Sequence, residues 1–271
     1  MDVRWKHPWT SIICGPTGCG KTIFVQNLLR YLSDMADVHF DRILFYYAEW
    51  QDAYHRLQRD TEEKDIEKRA VEAGEEEEQR RRKRVRMRGG CGVNNTTDET
   101  KKSRIEFREG LPRPEDYSSD PFSPKLVIID DLMRESSSCD AIVDLFTKGS
   151  HHKNLSVILI SQNLFHQGRG QRDISLNANY IVIFKNPRDR AQIRHLARQV
   201  YPDDPKFLEE AYYDATSRPH GYLLLDLKQS TPDEYRFRTC IFPDDTLHYV
   251  YIPRRSIARG GGGGGGGGGW V

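Results

Sequence analysis

The sequence predicts an α/β fold in which a mostly parallel sheet is covered by helices on both faces. Three observations support this prediction. The pattern Gly, four residues, Gly-Lys-Thr occupies residues 15–22, between an apolar run and an amphipathic segment. A second apolar run, residues 125–131, ends in two aspartates. Further apolar runs alternate with segments of helical periodicity, which is typical of parallel strands buried on both faces.

The first predicted strand, residues 11–14, leads into a phosphate-binding loop. Its glycines allow backbone N–H groups to curl around a triphosphate. Lys21 is expected to bring its charge to the β and γ phosphates, and the hydroxyl of Thr22 to bind Mg²⁺. A helix over residues 22–32 follows, so the loop lies at a helix N-terminus. The predicted nucleotide-binding residues are Gly15, Pro16, Thr17, Gly18, Cys19, Gly20, Lys21 and Thr22.

Two cysteines flank this loop. Cys14 and Cys19 are either thiols of lowered pKa or, more simply, small residues that fit a strand end and a tight loop. The chain has five cysteines without a Cys-x-x-Cys spacing. An odd, scattered set predicts free thiols in a reducing compartment.

The pattern is lost after a second strand, residues 42–47, and returns at Pro124. In this interval four consecutive glutamates, residues 75–78, precede an arginine-rich run, residues 80–88. Too few apolar residues are present to form a core, so residues 59–102 are predicted to be a surface insertion, partly charged helix and partly disordered. The arginine run either binds nucleic acid or acts as a nuclear import signal, or it is a solvated helix neutralised by its acidic half.

The strand over residues 125–131 supplies the acidic half of the predicted site. An acid that follows four apolar residues lies at the carboxyl end of a parallel strand, where ligands bind in open α/β sheets. Asp130 is expected to hold Mg²⁺ opposite Thr22. Asp131 is predicted to be the general base that polarises the attacking water, with helix N-capping as the alternative.

The next strand, residues 156–162, ends at Gln162. A neutral amide at that position is expected to orient water or to sense the γ-phosphate, and the alternative is loop capping with Asn163. After another strand at residues 180–184, Lys185-Asn186-Pro187-Arg188-Asp189 differs in order from the Asn-Lys-x-Asp motif that reads guanine. The sequence therefore indicates no guanine specificity.

The remaining elements complete one domain. Asn186-Pro187 is predicted to start a helix, and Asp204-Pro205 another. Residues 221–226 and 237–242 are predicted to be late strands at an antiparallel edge. Residues 1–58 and 103–256 thus form a single predicted domain, followed by a glycine-rich flexible tail over residues 257–271.

Charge and hydropathy limit the partners. With 41 Lys and Arg against 40 Asp and Glu, the formal net charge is +1, so only local patches could attract nucleic acid. No apolar run of about 18 residues exists, and the first residues lack the apolar segment of a signal peptide. We therefore expect no membrane association and no secretion.

Three tracts together resemble a known family. The loop over residues 15–22, the strand over residues 126–131 and the tract over residues 148–202 are similar to the DNA-packaging ATPases of the FtsK/HerA superfamily. The closest resemblance is to the poxvirus-type packaging ATPase, especially its relatives in Polinton/Maverick elements and adintovirus-like viruses. It covers roughly residues 8–50 and 105–245. Residues 162–190 carry it more specifically than the loop does.

This resemblance implies a RecA-like P-loop NTPase (ASCE) core, a three-layer sandwich in which the Gln162 strand lies between the loop strand and the Asp130 strand. It implies ATP and Mg²⁺ as ligands. It also implies a homo-oligomeric ring, commonly a hexamer, that threads double-stranded DNA into a capsid, with a capsid or portal protein as a further partner. The implied location is the nucleus or cytoplasm of an infected or element-bearing eukaryotic cell, or the virion.

The resemblance also implies an arginine that acts across a subunit boundary. Arg172 is the best match in the glycine-flanked loop before residue 180, and Arg169 and Arg188 are reserves. Many relatives carry glutamate where this chain has Asp131, so its base is one methylene shorter. Neither the charged insertion nor the glycine tail belongs to the family pattern.

Two other functions remain open from the sequence. The same core would serve a helicase or a DNA-segregation pump. A host-resident relic that binds nucleotide or DNA without turnover is a non-enzymatic alternative, although the intact Lys21, Thr22, Asp130 and Asp131 argue against decay of the nucleotide site.

Overall fold

The computed structural model describes residues 2–59, 104–117, 120, 122–132, 136–149, 154–165 and 170–253. Apart from residue 59, the predicted insertion lies outside the described residues, as do the predicted tail and the tract that contains Arg169. Among the described residues, no helix combines the length and the apolar character needed to cross a bilayer.

A nine-stranded mixed sheet forms the centre of the molecule. Its strands are β1 (Thr10–Cys14), β2 (Arg42–Tyr47), β3 (Arg104–Glu109), β4 (Lys125–Asp130), β5 (Leu155–Ser161), β6 (Tyr180–Phe184), β7 (Tyr222–Asp226), β8 (Phe237–Thr239) and β9 (Tyr249–Tyr251). Their spatial order is β3-β2-β4-β5-β1-β6-β7-β8-β9. The first six strands pair in parallel, and the last three add antiparallel pairs at one edge.

Helices lie between the strands. They are α1 (Lys21–Arg30), α2 (Leu32–Met35), α3 (residues 52–59), α4 (Pro114–Tyr117), α5 (Ser136–Asp144), α6 (Gln171–Leu176), α7 (Ala191–Val200) and α8 (Pro205–Ala215). A π-helical turn, Leu145–Gly149, extends α5. On α1 the buried side chains are Phe24, Val25 and Leu28, at the helical spacing that the sequence predicted.

The order of the parallel strands confirms the predicted fold class. β5 pairs with β1 on one side and with β4 on the other, as expected for a RecA-like core. The aligned register brings Cys14 beside Ser161, and Asp130 beside Ile160. The carboxyl ends of β1, β4 and β5 therefore meet at one edge of the sheet.

Both faces of the sheet are buried, which makes the molecule a three-layer sandwich. Successive residues of a strand point to opposite faces. In β1, Ile12 packs into one hydrophobic cluster with residues of α7 and α8, and Ile13 packs into a second cluster with residues of α1. Both side chains are fully buried.

The helix predicted to start at Asn186-Pro187 begins later, at Ala191. Oδ1 of Asn186 accepts the N–H of Arg188 at 3.1 Å and closes a separate turn. Oδ1 of Asp189 then accepts the N–H groups of Ala191 and Gln192, at 3.1 and 3.3 Å, so this carboxylate supports the start of α7. Pro187 is therefore not the first helical residue.

Other predicted boundaries also differ. The first helix ends at Arg30, and a break at Tyr31 separates it from α2. The strand predicted over residues 237–242 ends at Thr239, because Cys240 adopts a left-handed φ of 52°. The sequence missed β9 and the edge strand β3. In β3, Ile105 and Phe107 alternate with charged residues that include Glu106 and Arg108.

Candidate nucleotide-binding and catalytic site

A cleft of 450 Å³ lies at the carboxyl ends of β1, β4 and β5. Most of the residues predicted to bind nucleotide or metal, or to catalyse, meet there. The lining residues are Thr17, Gly18, Gly20, Lys21, Thr22, Ile23, Gln51, Asp130, Asp131, Ile160, Ser161, Gln162 and His220. The structure thus brings together side chains from five separate segments between residues 17 and 220.

Each of the three loop positions requires glycine for a structural reason. Gly18 and Gly20 have φ angles of 77° and 112°, a region that residues with a Cβ rarely adopt. A Cβ at Gly15 would lie 2.7 Å from both Sγ of Cys19 and Cβ of Phe184. Close packing therefore excludes any larger residue at Gly15, and backbone conformation disfavours one at the other two positions.

The loop leads directly into α1, whose first turn is suited to an anion. No side chain caps this helix, and its first turn contains no acidic residue. The first N–H groups of a helix have no partner within the helix, and the helix dipole favours negative charge beside them. Lys21 adds a full charge nearby, since its Nζ donates to the carbonyl oxygens of Gly15 at 2.6 Å and Pro16 at 3.0 Å.

The two loop cysteines have thiols whose pKa is raised and not lowered. Burial raises the pKa of Cys14 to about 12 and also raises the pKa of Cys19. The alternative of small residues that fit the strand end and the loop agrees with these shifts.

Asp130 is a buried carboxylate at the end of β4. Its side chain accepts a hydrogen bond of 2.6 Å from the phenol of Tyr54, which α3 contributes. Burial raises the pKa of Asp130, and the hydrogen bond from Tyr54 opposes that shift. Burial and the adjacent Asp130 in turn raise the pKa of Tyr54, so the phenol stays protonated and remains a donor.

The same cleft offers the oxygen ligands that Mg²⁺ prefers. The hydroxyl of Thr22 and the carboxylate of Asp130 both line it. Within the described residues, Asp130 forms no salt bridge with a lysine or arginine. A buried carboxylate with a neutral partner fits a site for a divalent cation, because the cation would compensate its charge.

Asp131 and Gln162 contact each other across the cleft. Nε2 of Gln162 donates to Oδ2 of Asp131 at 3.0 Å. The backbone N–H of Asp131 bonds to the carbonyl oxygen of Ile160 at 3.3 Å, and its φ is 52°. Leu132, the residue after Asp131, is not helical, so Asp131 does not occupy an N-cap position. The geometry therefore favours a base positioned by an amide over the capping alternative.

Asn163 connects this pair to α7. Nε2 of Gln192 lies 3.3 Å from Oδ1 of Asn163 and 2.9 Å from Oδ2 of Asp189. Oε1 of Gln192 accepts the N–H of Leu164 at 3.4 Å. Gln192 therefore supports the segment that follows Gln162.

The two predicted arginines that the structure describes, Arg172 and Arg188, do not line the cleft. Arg172 is exposed and lies in the first turn of α6, so the prediction that it occupies a loop is wrong. Arg188 is exposed in the turn after β6, and Arg169 lies outside the described residues.

The sequence did not predict three polar residues at or beside this cleft, namely Gln51, Tyr54 and His220. Tyr54 contacts the cleft through Asp130, and the others line it directly. None of the three stands in a motif, because each reaches the site only through the packing of a loop or short helix against the sheet. For Gln51 the sequence does contain a signal. It is a polar residue shortly after β2, and β2 is parallel to β4 and ends at the same edge of the sheet.

Comparisons with known proteins give structural similarity only. No protein-family model matches the chain, and no curated protein matches it. The fold is similar to the genome packaging NTPase B204 from Sulfolobus turreted icosahedral virus 2 in complex with ATP-gammaS, with a TM-score of 0.43 and 10% identity over 90% of this chain and 97% of that chain. For the DNA-packaging ATPase B204 from Sulfolobus turreted icosahedral virus, the TM-score is 0.44 and the identity 11%, over 91% and 98% of the two chains.

A secretion ATPase is also similar. The cytoplasmic domain of the Type VII secretion ATPase EccC from Thermomonospora curvata has a TM-score of 0.39 and 15% identity, over 82% of this chain and 24% of that chain. At such identities and TM-scores, the similarities assign neither an activity nor a partner. The order of the chain's own parallel strands shows an α/β RecA-like fold, and its site must be judged by its own geometry.

Proposed function

We propose that this chain is a Mg²⁺-dependent ATPase that moves double-stranded DNA and packages a viral or virus-like transposon genome into a capsid. The observation that carries the enzymatic part is the meeting of Lys21, Asp130 and the Asp131–Gln162 pair in one cleft. Charge for the phosphates, a metal ligand and a candidate base are then within one site. The DNA-packaging part rests on the resemblance of residues 126–131 and 148–202 to packaging ATPases.

The residues divide the chemistry of ATP hydrolysis among them. The loop amides and Lys21 bind the β and γ phosphates and stabilise the charge that develops there. Thr22 and Asp130 would hold Mg²⁺, which supplies further neutralisation of that charge when bound. Asp131 accepts a proton from the attacking water, and Gln162 orients Asp131 through the hydrogen bond between them. Phosphoryl transfer needs little more than this positioning and charge stabilisation.

A ring assembly completes the proposal. The described arginines lie outside the cleft of their own protomer, which agrees with an arginine supplied by a neighbour. Such an arginine stabilises the transition-state charge. We propose Arg172 for this role, in a homo-oligomer that is commonly hexameric.

Three measurements on the full chain test this function. ATP turnover is measured with and without double-stranded DNA, particle mass is measured in the presence of ATP, and a triplex-displacement assay reports movement along duplex DNA. We expect DNA-stimulated turnover, a ring-sized particle and displacement of the third strand. Separation of a forked duplex would instead identify a helicase, and absence of turnover in the presence of Mg²⁺ and DNA would identify a non-catalytic relic.

A further inference from the structure

His220 is fixed against the phosphate-binding loop by its local backbone. It lies in the turn before β7 with a φ of 61°, a left-handed conformation that is uncommon for residues with a Cβ. The following Gly221 cannot be replaced without a shift, because a Cβ there would lie 2.4 Å from the carbonyl oxygen of Ala215. This tight turn places the imidazole of His220 against the phosphate-binding loop.

Two contacts join His220 to the start of α1. Nδ1 of the imidazole lies 3.1 Å from the carbonyl oxygen of Cys19. The imidazole also covers Gly20, since a Cβ at Gly20 would lie 3.2 Å from Nδ1 and 3.3 Å from Cβ of His220. The absence of a side chain at Gly20 is what allows the ring to approach the loop this closely.

An exposed apolar side chain stands beside this contact. Ile23 lies in the first turn of α1, three residues after Gly20, the residue that precedes the helix. Ile23 is 53% exposed and lines the cleft together with His220. The cleft is therefore polar at Lys21 and Asp130, and apolar and aromatic at Ile23 and His220. A nucleoside triphosphate has the same division, with phosphates at one end and a flat, largely apolar base at the other.

The contact with Cys19 also fixes the chemistry of the imidazole. A carbonyl oxygen only accepts hydrogen bonds, so Nδ1 carries the proton, and in the neutral ring Nε2 is left as an acceptor. Adenine carries an amino group where guanine carries an oxygen, N6 against O6. An acceptor at that edge therefore bonds to adenine and repels guanine.

We propose that His220, with Ile23, forms the nucleobase-binding wall of the cleft and gives this enzyme its preference for adenine over guanine nucleotides. This inference rests on the proposed function, because it assumes that the cleft binds a nucleoside triphosphate. His220 acts on binding and selectivity, whereas Lys21, Asp130 and Asp131 act on the phosphates.

The test compares His220→Gly with the unmodified protein at pH 8. Glycine adopts a φ near 60° freely, so this variant removes the ring without adding backbone strain. Affinities are measured by calorimetry for ATP, GTP and inorganic tripolyphosphate. The matched control is His248→Gly, since His248 is also exposed and has Nδ1 2.6 Å from a backbone carbonyl, that of Cys240, but does not line the cleft.

We expect about a tenfold loss of ATP affinity in His220→Gly, which corresponds to the loss of one hydrogen bond to the base. GTP affinity should fall less, so that the ATP-to-GTP ratio approaches one, and tripolyphosphate affinity should stay within about twofold. An equal loss for ATP and tripolyphosphate would reassign His220 to support of the loop, and an unchanged ATP-to-GTP ratio would overturn the proposal. If the unmodified protein binds neither ATP nor tripolyphosphate, the proposed function itself fails.

Discussion

Nε2 of Gln162 donates a 3.0 Å hydrogen bond to Oδ2 of Asp131, joining the residue after β5 to the residue after β4. The two strands are parallel neighbours, so their ends are held in fixed register by the sheet. Asp131 has a left-handed φ, which for an L-residue costs about 1 kcal/mol. A carboxylate on a strained backbone at a strand end, held by an amide, is the arrangement expected of a positioned base.

Replacing Asp131 with asparagine should spare ATP binding and slow hydrolysis by about 10²-fold or more, because an amide cannot accept the proton of water. The oxygen of the new amide can still accept from Gln162, so the local geometry is retained. Nucleotide affinity and single-turnover hydrolysis are measured side by side, with exposed Asp140→Asn on α5 as the control. Hydrolysis at the original rate would remove Asp131 from the mechanism.

Tyr54→Phe should weaken the response to Mg²⁺. Phenylalanine keeps the packing of this ring against Phe45, whose centroid lies 4.9 Å away, but removes the hydrogen bond to Asp130. Loss of partners behind a metal ligand typically costs about 10- to 100-fold in metal affinity. We expect the Mg²⁺ concentration for half-maximal ATPase activity to rise about tenfold.

The control for that experiment is Tyr47→Phe, since Tyr47 belongs to the same aromatic cluster, 5.7 Å from Tyr54. Its Mg²⁺ requirement should not change. A shift of equal size in both variants would indicate that the packing of the cluster, and not the bond to Asp130, controls the site.

The stability of the folded protein should depend on pH through the buried carboxyl group of Asp130. Burial raises the pKa of Asp130 in the folded state. As the pH rises, the unfolded chain therefore loses this proton at a lower pH than the folded protein does. Stability therefore falls as the pH rises from the ordinary aspartate range through the raised value, and the cost persists at neutral pH. Asp130→Asn removes a buried charge and should melt at a higher temperature than the unmodified protein at pH 7, with a smaller difference at acidic pH.

Thermal melts of both proteins across pH, without added Mg²⁺, measure this effect. The same substitution should abolish turnover, because it weakens a metal ligand. A lower melting temperature for Asp130→Asn at pH 7 would show that the carboxylate stabilises the fold, contrary to its raised pKa.

Arg172→Ala should bind ATP normally and hydrolyse it about 10³- to 10⁵-fold more slowly, the range for arginines supplied in trans. Arg172 does not line the cleft of its own protomer. Mixing this variant with Lys21→Ala should therefore restore part of the activity, since mixed rings contain interfaces with an intact loop and an intact arginine. The control is Arg198→Ala, because Arg198 is also an exposed arginine but lies on a different helix, α7. No recovery in rings proven to be mixed would exclude Arg172.

The parts of the site that lie on strand ends were predictable from the sequence. Buried strands have continuous apolar runs, and the loop and acids follow them directly, so the positions of Lys21, Asp130 and Gln162 at one sheet edge follow from parallel pairing. The placement of β5 between β1 and β4 required the family resemblance, because strand order is not encoded in local periodicity.

The missed residues reach the site by packing. Tyr54 is held by aromatic neighbours on two strands and a loop. His220 is held by a turn with a left-handed backbone, which no local sequence motif predicts. β3 was missed because it is a charged edge strand, in which Glu106 pairs with Arg42 of β2 and with Arg108. The pair with Arg42 depends on a contact between residues distant in sequence.

The central claim is that the loop over residues 15–22 binds and hydrolyses ATP. The most direct test is steady-state phosphate release from Mg²⁺-ATP by the unmodified protein and by Lys21→Ala, at equal nucleotide saturation. We predict turnover by the unmodified protein and a loss of about 10²-fold or more in the variant, as for other groups that stabilise transition-state charge. Equal turnover by the two proteins would contradict the account.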